Sequence, residues 1–316
     1  MKFDPSYFQG EVKEDFYVKP MMKRAWAAQL KVLEEIDKIC KRHNIEYYAE
    51  WGTLLGAVRH HGFIPWDDDL DIGMTRPNYV RFLSVAQKEL PESYQVVNVM
   101  NNSFHKELLT RVVNSPAINA TPQFLEEFYG CPYVVGIDIF PSDYLPTNKS
   151  EEKIQLALLA AVNRLGREWN NPDSEEHLSE DEKWECVREI EEYCNYKFTD
   201  DMSIQQQLLI LSDRLCAMYW DTEAKEITLL PMMTGDPNYR LPVSCYESFI
   251  EVPFENFTIP IPVGYEKILT LRYGKNYMTP IKVWGTHTYP FYKEQQQILF
   301  DSYKAKGLKV PESFKE

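Results

Sequence analysis

The 316-residue chain lacks any apolar run long enough to cross a bilayer, and no signal peptide is recognisable at its start. Its six cysteines (40, 131, 186, 194, 216 and 245) form neither a C-x-x-C pair nor a compact framework, which excludes a disulfide scaffold and a zinc ribbon. Each is expected to be a small buried hydrophobe in a reducing cytoplasm. Positive charge is also scarce, with 34 Lys and Arg against 48 Asp and Glu and a formal net charge of -14. No basic stripe exists for nucleic acid or an anionic bilayer, so a phosphorylated ligand has to be held by a local device. Internal repeats and low-complexity tracts are absent beyond two short glutamine triplets.

What is present is 44% hydrophobic and 14% aromatic residues, enough for one large folded unit or two modest ones and incompatible with a disordered class. Residues 1–20 are polar and turn-prone, and read as an arm that packs loosely. From Met22, the positions Trp26, Leu30, Leu33, Ile36 and Cys40 recur at helical spacing, with Lys41, Arg42 and His43 placed to complement the helix dipole. Ile45–Ala49 reads as a strand, Gly52 turns the chain, and Leu54 to Val58 open a short helix. Asp69 to Met74 alternates acid and apolar residues as a strand does; Tyr79 to Leu90 reads as a helix and Tyr94 to Val99 as a strand. The run "YVVGIDIFPSDYLP" at 133–146 predicts a strand stopped by Pro141. From about Asn148, with Glu151 as its capping partner, helices are expected to Tyr219, interrupted by an acidic loop at Asp173 to Glu182. Residues 222–262 return to strands and turns, and Gly264 to Tyr273 to a helix.

The stretch "WGTLLGAVRHHGFIPWDDDLDIGM" sets Asp67, Asp68, Asp69 and Asp71 among tryptophan, leucine, isoleucine and methionine. In an extended strand, residues two apart lie roughly 6–7 Å apart on one face. Asp69 and Asp71 then share a face that Asp67 joins if the strand starts early, while Asp68 points away. Carboxylates crowded beside a hydrophobic sheet repel one another unless a cation neutralises them, and hard oxygen ligands of this kind suit Mg²⁺. Asp138, between Ile137 and Ile139, supplies a third acid at the same edge. Gly52 and Thr53, between strand and helix, offer backbone N–H groups to an anion.

This pattern resembles the nucleotidyltransferase fold, and the string "GTLLGAVRHHGFIPWDDDLDIGM" resembles the LicD family of phosphocholine transferases, to which fukutin and fukutin-related protein are similar. The resemblance extends to "VGIDIFPSDYLP" and to "PVGYEKILTLRYGKNYMTP" with His287 after it, and covers roughly residues 40–290. It departs at Lys275, where the family usually carries an acid after the Tyr-Gly pair. It implies transfer of a phosphorylated alcohol, foremost phosphocholine, from a CDP-linked donor to a sugar hydroxyl of a cell-surface glycan precursor of teichoic acid or lipopolysaccharide type. By the same resemblance Asp67, Asp69, Asp71 and Asp138 are expected to bind one or two Mg²⁺ ions, with Mn²⁺ as a substitute. Asp69, Asp71 and Asp138 are the catalytic set, Asp138 either as ligand or as base toward the acceptor hydroxyl. Gly52, Thr53, Arg59, Lys106 and His287 are the expected donor-binding residues.

Two other readings stay open: true nucleotidyl transfer with diphosphate leaving, and a non-catalytic glycan-binding protein on the same fold. Trp51, Trp66, Trp284 and nearby tyrosines are either core or a cation–π cage for a quaternary ammonium. His60, His61 and His105 read as ordinary polar residues. The expected architecture is mixed α/β (α+β): an arm at 1–20, a nucleotidyltransferase-like catalytic core with a mixed sheet at 21–146, a helical insertion at 147–221, and a C-terminal α+β portion at 222–316 that completes the site. The expected partners are a CDP-alcohol, CDP-choline first, and a glycan or lipid-linked glycan acceptor, at a cytoplasmic location or peripherally on the inner face of a membrane.

Overall fold

The computed structural model describes residues 1–169, 178–220, 223–282 and 289–315. The N-terminal arm is better packed than its polar composition predicts. After a 3₁₀ turn it forms a hairpin of β1 (Glu11–Lys13) and β2 (Phe16–Val18). The Met1 amino group pairs with Glu34 at 3.1 Å and the Phe3 ring meets Tyr129 edge-on at 5.0 Å. Aromatic contacts therefore dock a segment whose charges alone suggested solvent.

Helix α1 (Pro20–His43) buries the apolar stripe seen in the sequence, starts with proline at its first turn and ends at Asn44 in the left-handed conformation. There follow β3 (Tyr48–Ala49), α2 (Trp51–Arg59), β4 (Asp71–Thr75), α3 (Arg76–Glu89), β5 (Gln95–Val97), β6 (Thr110–Val113), α4 (Pro122–Glu127) and β7 (Gly136–Tyr144). The middle of the chain supplies α5 (Lys149–Glu168), α6 (Glu180–Cys194) and α7 (Ile204–Cys216). The remainder is β8 (Glu226–Thr228), α8 (Leu230–Met233), β9 (Leu241–Pro242), the hairpin of β10 (Phe249–Phe254) and β11 (Phe257–Pro262), α9 (Tyr265–Tyr273) and α10 (Lys293–Ala305).

A seven-stranded mixed sheet runs β3-β4-β7-β6-β5, with β8 on the far end of β7 and β9 beside β8. Only β4 and β7 are parallel, and their register pairs Asp71 with Asp138. Contrary to expectation, Pro141 does not stop β7. The Asp138 N–H points toward β4, where it meets the Leu70 carbonyl, so by alternation the nitrogen of Pro141 points to the other edge. There β6 has ended at Ile139 and β8 begins at Asp143, so no ladder bond is lost.

The main core lies between this sheet, α1 and the β10–β11 hairpin, whereas α5, α6 and α7 build a separate small core from Leu159, Val162, Leu165, Val187, Ile190 and Leu208. Asn148 caps α5 by accepting from Ser150 N–H, and Ser179 with Glu182 forms a capping box on α6. The expected acidic loop thus ends in a helix start, and its residues 173–177 lie outside the described part. A buried ion pair ties the helical segment to the sheet: Arg76 donates to Asp143 at 2.6 Å and to Asp213 of α7 at 2.8 Å.

Candidate active site

The acidic loop is fixed by its backbone, with Asp68 buried and Asp67 half-buried. From α1, Trp26 Nε1 donates to the Asp67 carbonyl at 3.1 Å and Gln29 Nε2 to the Asp68 carbonyl at 2.7 Å. Because these bonds hold the chain in a turn, the strand begins at Asp71 and not at Asp69 as the alternation predicts. Asp68 is fully buried and accepts the Phe291 N–H at 2.5 Å, which couples the loop to the segment before α10. Expected to point away from Asp69 and Asp71, it instead lines the same cavity as they do, and one oxygen from each of Asp67, Asp68 and Asp69 lies within 4.8 Å of the others. Asp71 and Asp138 are not part of that tight group.

Helix α2 supports the acids from below. Thr53 Oγ1 accepts the Asp71 N–H at 2.8 Å, locking the first strand residue onto the first turn of the helix. Gly52 leaves room for the Asp67 carboxylate: a Cβ there would stand 2.3 Å from Asp67 Oδ2. In this structure both residues therefore serve the acids directly, through a close approach and a hydrogen bond. The helix N-cap, Glu50, is buried and paired with Arg272 of α9, whose guanidinium also lies 4.4 Å from the centre of the Trp51 ring. One face of Trp51 is thus covered by the protein's own cation, and Trp66 is buried in the core. Trp284, the third member of the suggested cage, lies outside the described residues.

The acids face a cavity of about 1070 Å³ whose lining includes Trp51, Asp69, Asp71, Asp138, Arg111 and Lys293. Its floor is a row across three strands, Asp71 on β4, Asp138 on β7 and Arg111 on β6. Arg111 NH2 reaches Asp138 Oδ2 at 2.6 Å, with Nε on Oδ1. A wall comes from α10, where Gln295 holds the backbone of Val134 by donating to its carbonyl at 3.0 Å and accepting its N–H at 2.8 Å.

Burial, then the charge of Asp69, pushes the Asp67 carboxyl well above the ordinary carboxylate range. Asp71 is raised in the same way, by burial first and then by Asp69, Asp138 and Asp67. Glu50 is raised by burial despite Arg272 beside it. Oxygen-only donors, open on one side and mutually repelling, fit a hard divalent cation such as Mg²⁺.

Other predicted residues stand apart. Arg59, at the opposite end of α2, donates to the Tyr277 carbonyl at 2.8 Å and does not line the cavity. Lys106 is exposed on the loop before β6, one residue from Glu107, which does line it. His287 lies outside the described residues. His105 bonds the Leu109 carbonyl at 3.0 Å, His60 lies 3.3 Å from Glu14, and His61 is exposed, all as ordinary polar residues. Sequence reasoning missed Arg111, Lys293 and the Glu50–Arg272 pair. Arg111 carried one readable signal, a cation in a strand "TRVV" that has to pair with something beside the acid of "GIDIF".

Three carboxylates thus lie beside a two-stranded parallel step, backed by a short helix whose first turn contains Gly52 and Thr53, in a mixed α/β fold. Residues 44–125 match the family described as LicD/FKTN/FKRP, nucleotidyltransferase domain. Among curated proteins it is similar to the lipopolysaccharide cholinephosphotransferase LicD of Haemophilus influenzae, 46% identical over 67 residues, or 21% of this chain and 25% of that protein. It also resembles uncharacterized proteins of Rickettsia typhi (43% over 65 residues, 21% of this chain and 20% of that protein) and Rickettsia prowazekii (42% over 65 residues, 21% and 23%). The matches span a quarter or less of these relatives' length. Among the described residues no helix is long and apolar enough to cross a membrane.

Proposed function

We propose that the protein is a Mg²⁺-dependent phosphotransferase that moves a phosphorylated alcohol, phosphocholine foremost, from a CDP-linked donor to a sugar hydroxyl of a cell-surface glycan precursor. The observation that carries this reading is Asp71 and Asp138 side by side on parallel strands, with Asp69 also in the lining of a cavity large enough for a nucleotide-sized ligand. The name of the Haemophilus relative supports phosphocholine as the group moved and lipopolysaccharide as one acceptor type.

Asp67, Asp69 and Asp71 would hold the ion, with Asp138 as a further ligand or as the base toward the acceptor hydroxyl. When bound, the ion supplies neutralising charge to the donor diphosphate. Thr53 and the α1 donors Trp26 and Gln29 keep the acids in place, so little reorganisation accompanies the reaction. The α10 wall, fastened through Gln295 and Phe291, closes one side of the cavity and limits water around the reacting groups. Acceleration then rests on positioning and electrostatics, and no covalent intermediate on the protein is needed. The proposed reaction takes place in the cytoplasm or at the inner membrane face.

Nucleotidyl transfer, the second reading, uses the same acids but attacks the other phosphorus. Incubation with CDP-choline, CTP and a glycan acceptor separates the two by product: CMP release with a phosphocholine-bearing glycan supports the proposal. Diphosphate release from CTP, with no CMP from CDP-choline, would replace it by nucleotidyl transfer.

A further inference from the structure

Among the described residues, the cavity lining contains two cationic side chains, Arg111 and Lys293. They come from separate parts of the chain, strand β6 and the first turn of α10. Arg111 makes a two-point ion pair with Asp138 and lies 3.5 Å from Glu107. Its stem crosses β7 beside Gly136, where an added Cβ would stand 3.1 Å from Arg111 Cγ and 3.0 Å from Val113 Cγ1. A side chain at 136 would therefore press on the arginine, and the missing one leaves it free to lie flat along the row. The Arg111 side chain is still 40% exposed, so unlike the Arg76 and Arg272 side chains it is not sealed into the core.

Resting on the phosphotransferase reading above, we infer that Arg111 is an exchangeable cation. Without metal it neutralises Asp138; with metal on the acid row it turns its fork to the phosphoryl oxygens, and Lys293 contacts the same diphosphate from the α10 wall. The reason is electrostatic. Asp138 cannot satisfy a divalent ion and a bidentate arginine equally, because each takes up the charge that holds the other. A guanidinium released from a carboxylate at the edge of a cavity matches phosphate oxygens in the same two-point geometry. Arg111 thereby links metal loading to donor capture, and α10 contributes to the site through Lys293 as well as through its fold.

The test uses the full chain, with Mn²⁺ binding followed by electron paramagnetic resonance and inorganic pyrophosphate and CDP-choline binding followed by calorimetry at saturating Mn²⁺. In Arg111→Gln, Mn²⁺ alone should bind more tightly, by about 3- to 10-fold, since a competitor for Asp138 is gone. Metal-dependent pyrophosphate binding should weaken by about 10- to 100-fold, the worth of a charge-assisted contact. Arg111→Lys should return the Mn²⁺ affinity toward wild type but not the pyrophosphate affinity, because the fork is lost. Lys293→Gln should weaken pyrophosphate and leave Mn²⁺ unchanged. Unaltered pyrophosphate binding in Arg111→Gln, loss of Mn²⁺ affinity together with it, or no pyrophosphate binding by the wild type overturns the inference. If the pyrophosphate pattern holds while wild-type protein ignores CDP-choline, Arg111 keeps its role and the CDP-alcohol reading falls.

Discussion

Asp71 is a carboxylate that the folded chain holds at a cost. Burial and three neighbouring aspartates raise it, and Arg111, the cation in the same row, is committed to Asp138. Replacing it by the isosteric amide removes like-charge repulsion while keeping the shape. Asp71→Asn is therefore expected to abolish metal-dependent turnover and yet to leave the metal-free protein as stable or raise its melting temperature by about 1–3 °C. Near-normal activity, or a large fall in melting temperature, would remove Asp71 from the site. The acid alternation of "DLDIGM" made this residue legible from the sequence. The division of labour between Asp68 and Asp69 was only half legible, because it depends on a backbone turn pinned by Trp26 and Gln29 and on an N–H more than 200 positions away at Phe291.

Elements are held around the site by two buried ion pairs that no local pattern announces. Glu50 and Arg272 join the start of α2 to α9, and removing one partner strands a charge in the core. Arg272→Met is expected to cost about 3–5 kcal/mol, and adding Glu50→Gln should recover much of it. Chemical denaturation of the wild type and the two variants measures this; equal stabilities for the single and double variants would contradict it. In the second pair, burial pushes the Asp143 carboxyl up to about 6, against the attraction of Arg76. The folded value lies above the roughly 3.9 of an unfolded chain, so the native state holds this proton more tightly. Stability from the group is present in full below about pH 4 and is lost as the pH rises through about 6. The unfolding free energy of wild type minus that of Asp143→Asn should thus fall by on the order of 2–3 kcal/mol over that interval and then level off. A flat difference would show that Asp143 titrates normally. Helix α1, α9 and the strand around Asp138 were legible because their periodicity is local. The continuation of β7 through Pro141 was not, since it depends on which neighbours lie beside the proline nitrogen.

For the whole molecule, a net charge of -14 is combined with a site that gathers further acids. Divalent cations are drawn by both, while an anionic donor gains from neither until metal is present. Mn²⁺ affinity should consequently fall several-fold between about 20 and about 200 mM monovalent salt. Salt-independent affinity would mean that the long-range field contributes little. The sequence class and the acid row could be read in advance because composition and a compact motif carry them. The cavity wall could not, as α10 reaches the site through contacts such as Gln295 on Val134, 161 residues apart. That long-range closure is also why the donor-holding cations were sought at Arg59 and Lys106, close to the motif in sequence, while the fold brings Arg111 and Lys293 to the cavity.

The most direct test of the central claim is calorimetric titration of the whole chain with CDP-choline, with and without Mg²⁺, repeated on Asp71→Asn. Binding by the wild type that requires Mg²⁺ and disappears in the variant is the predicted result. Metal-independent binding, or binding that survives in Asp71→Asn, would contradict a metal-dependent donor site on the acid row.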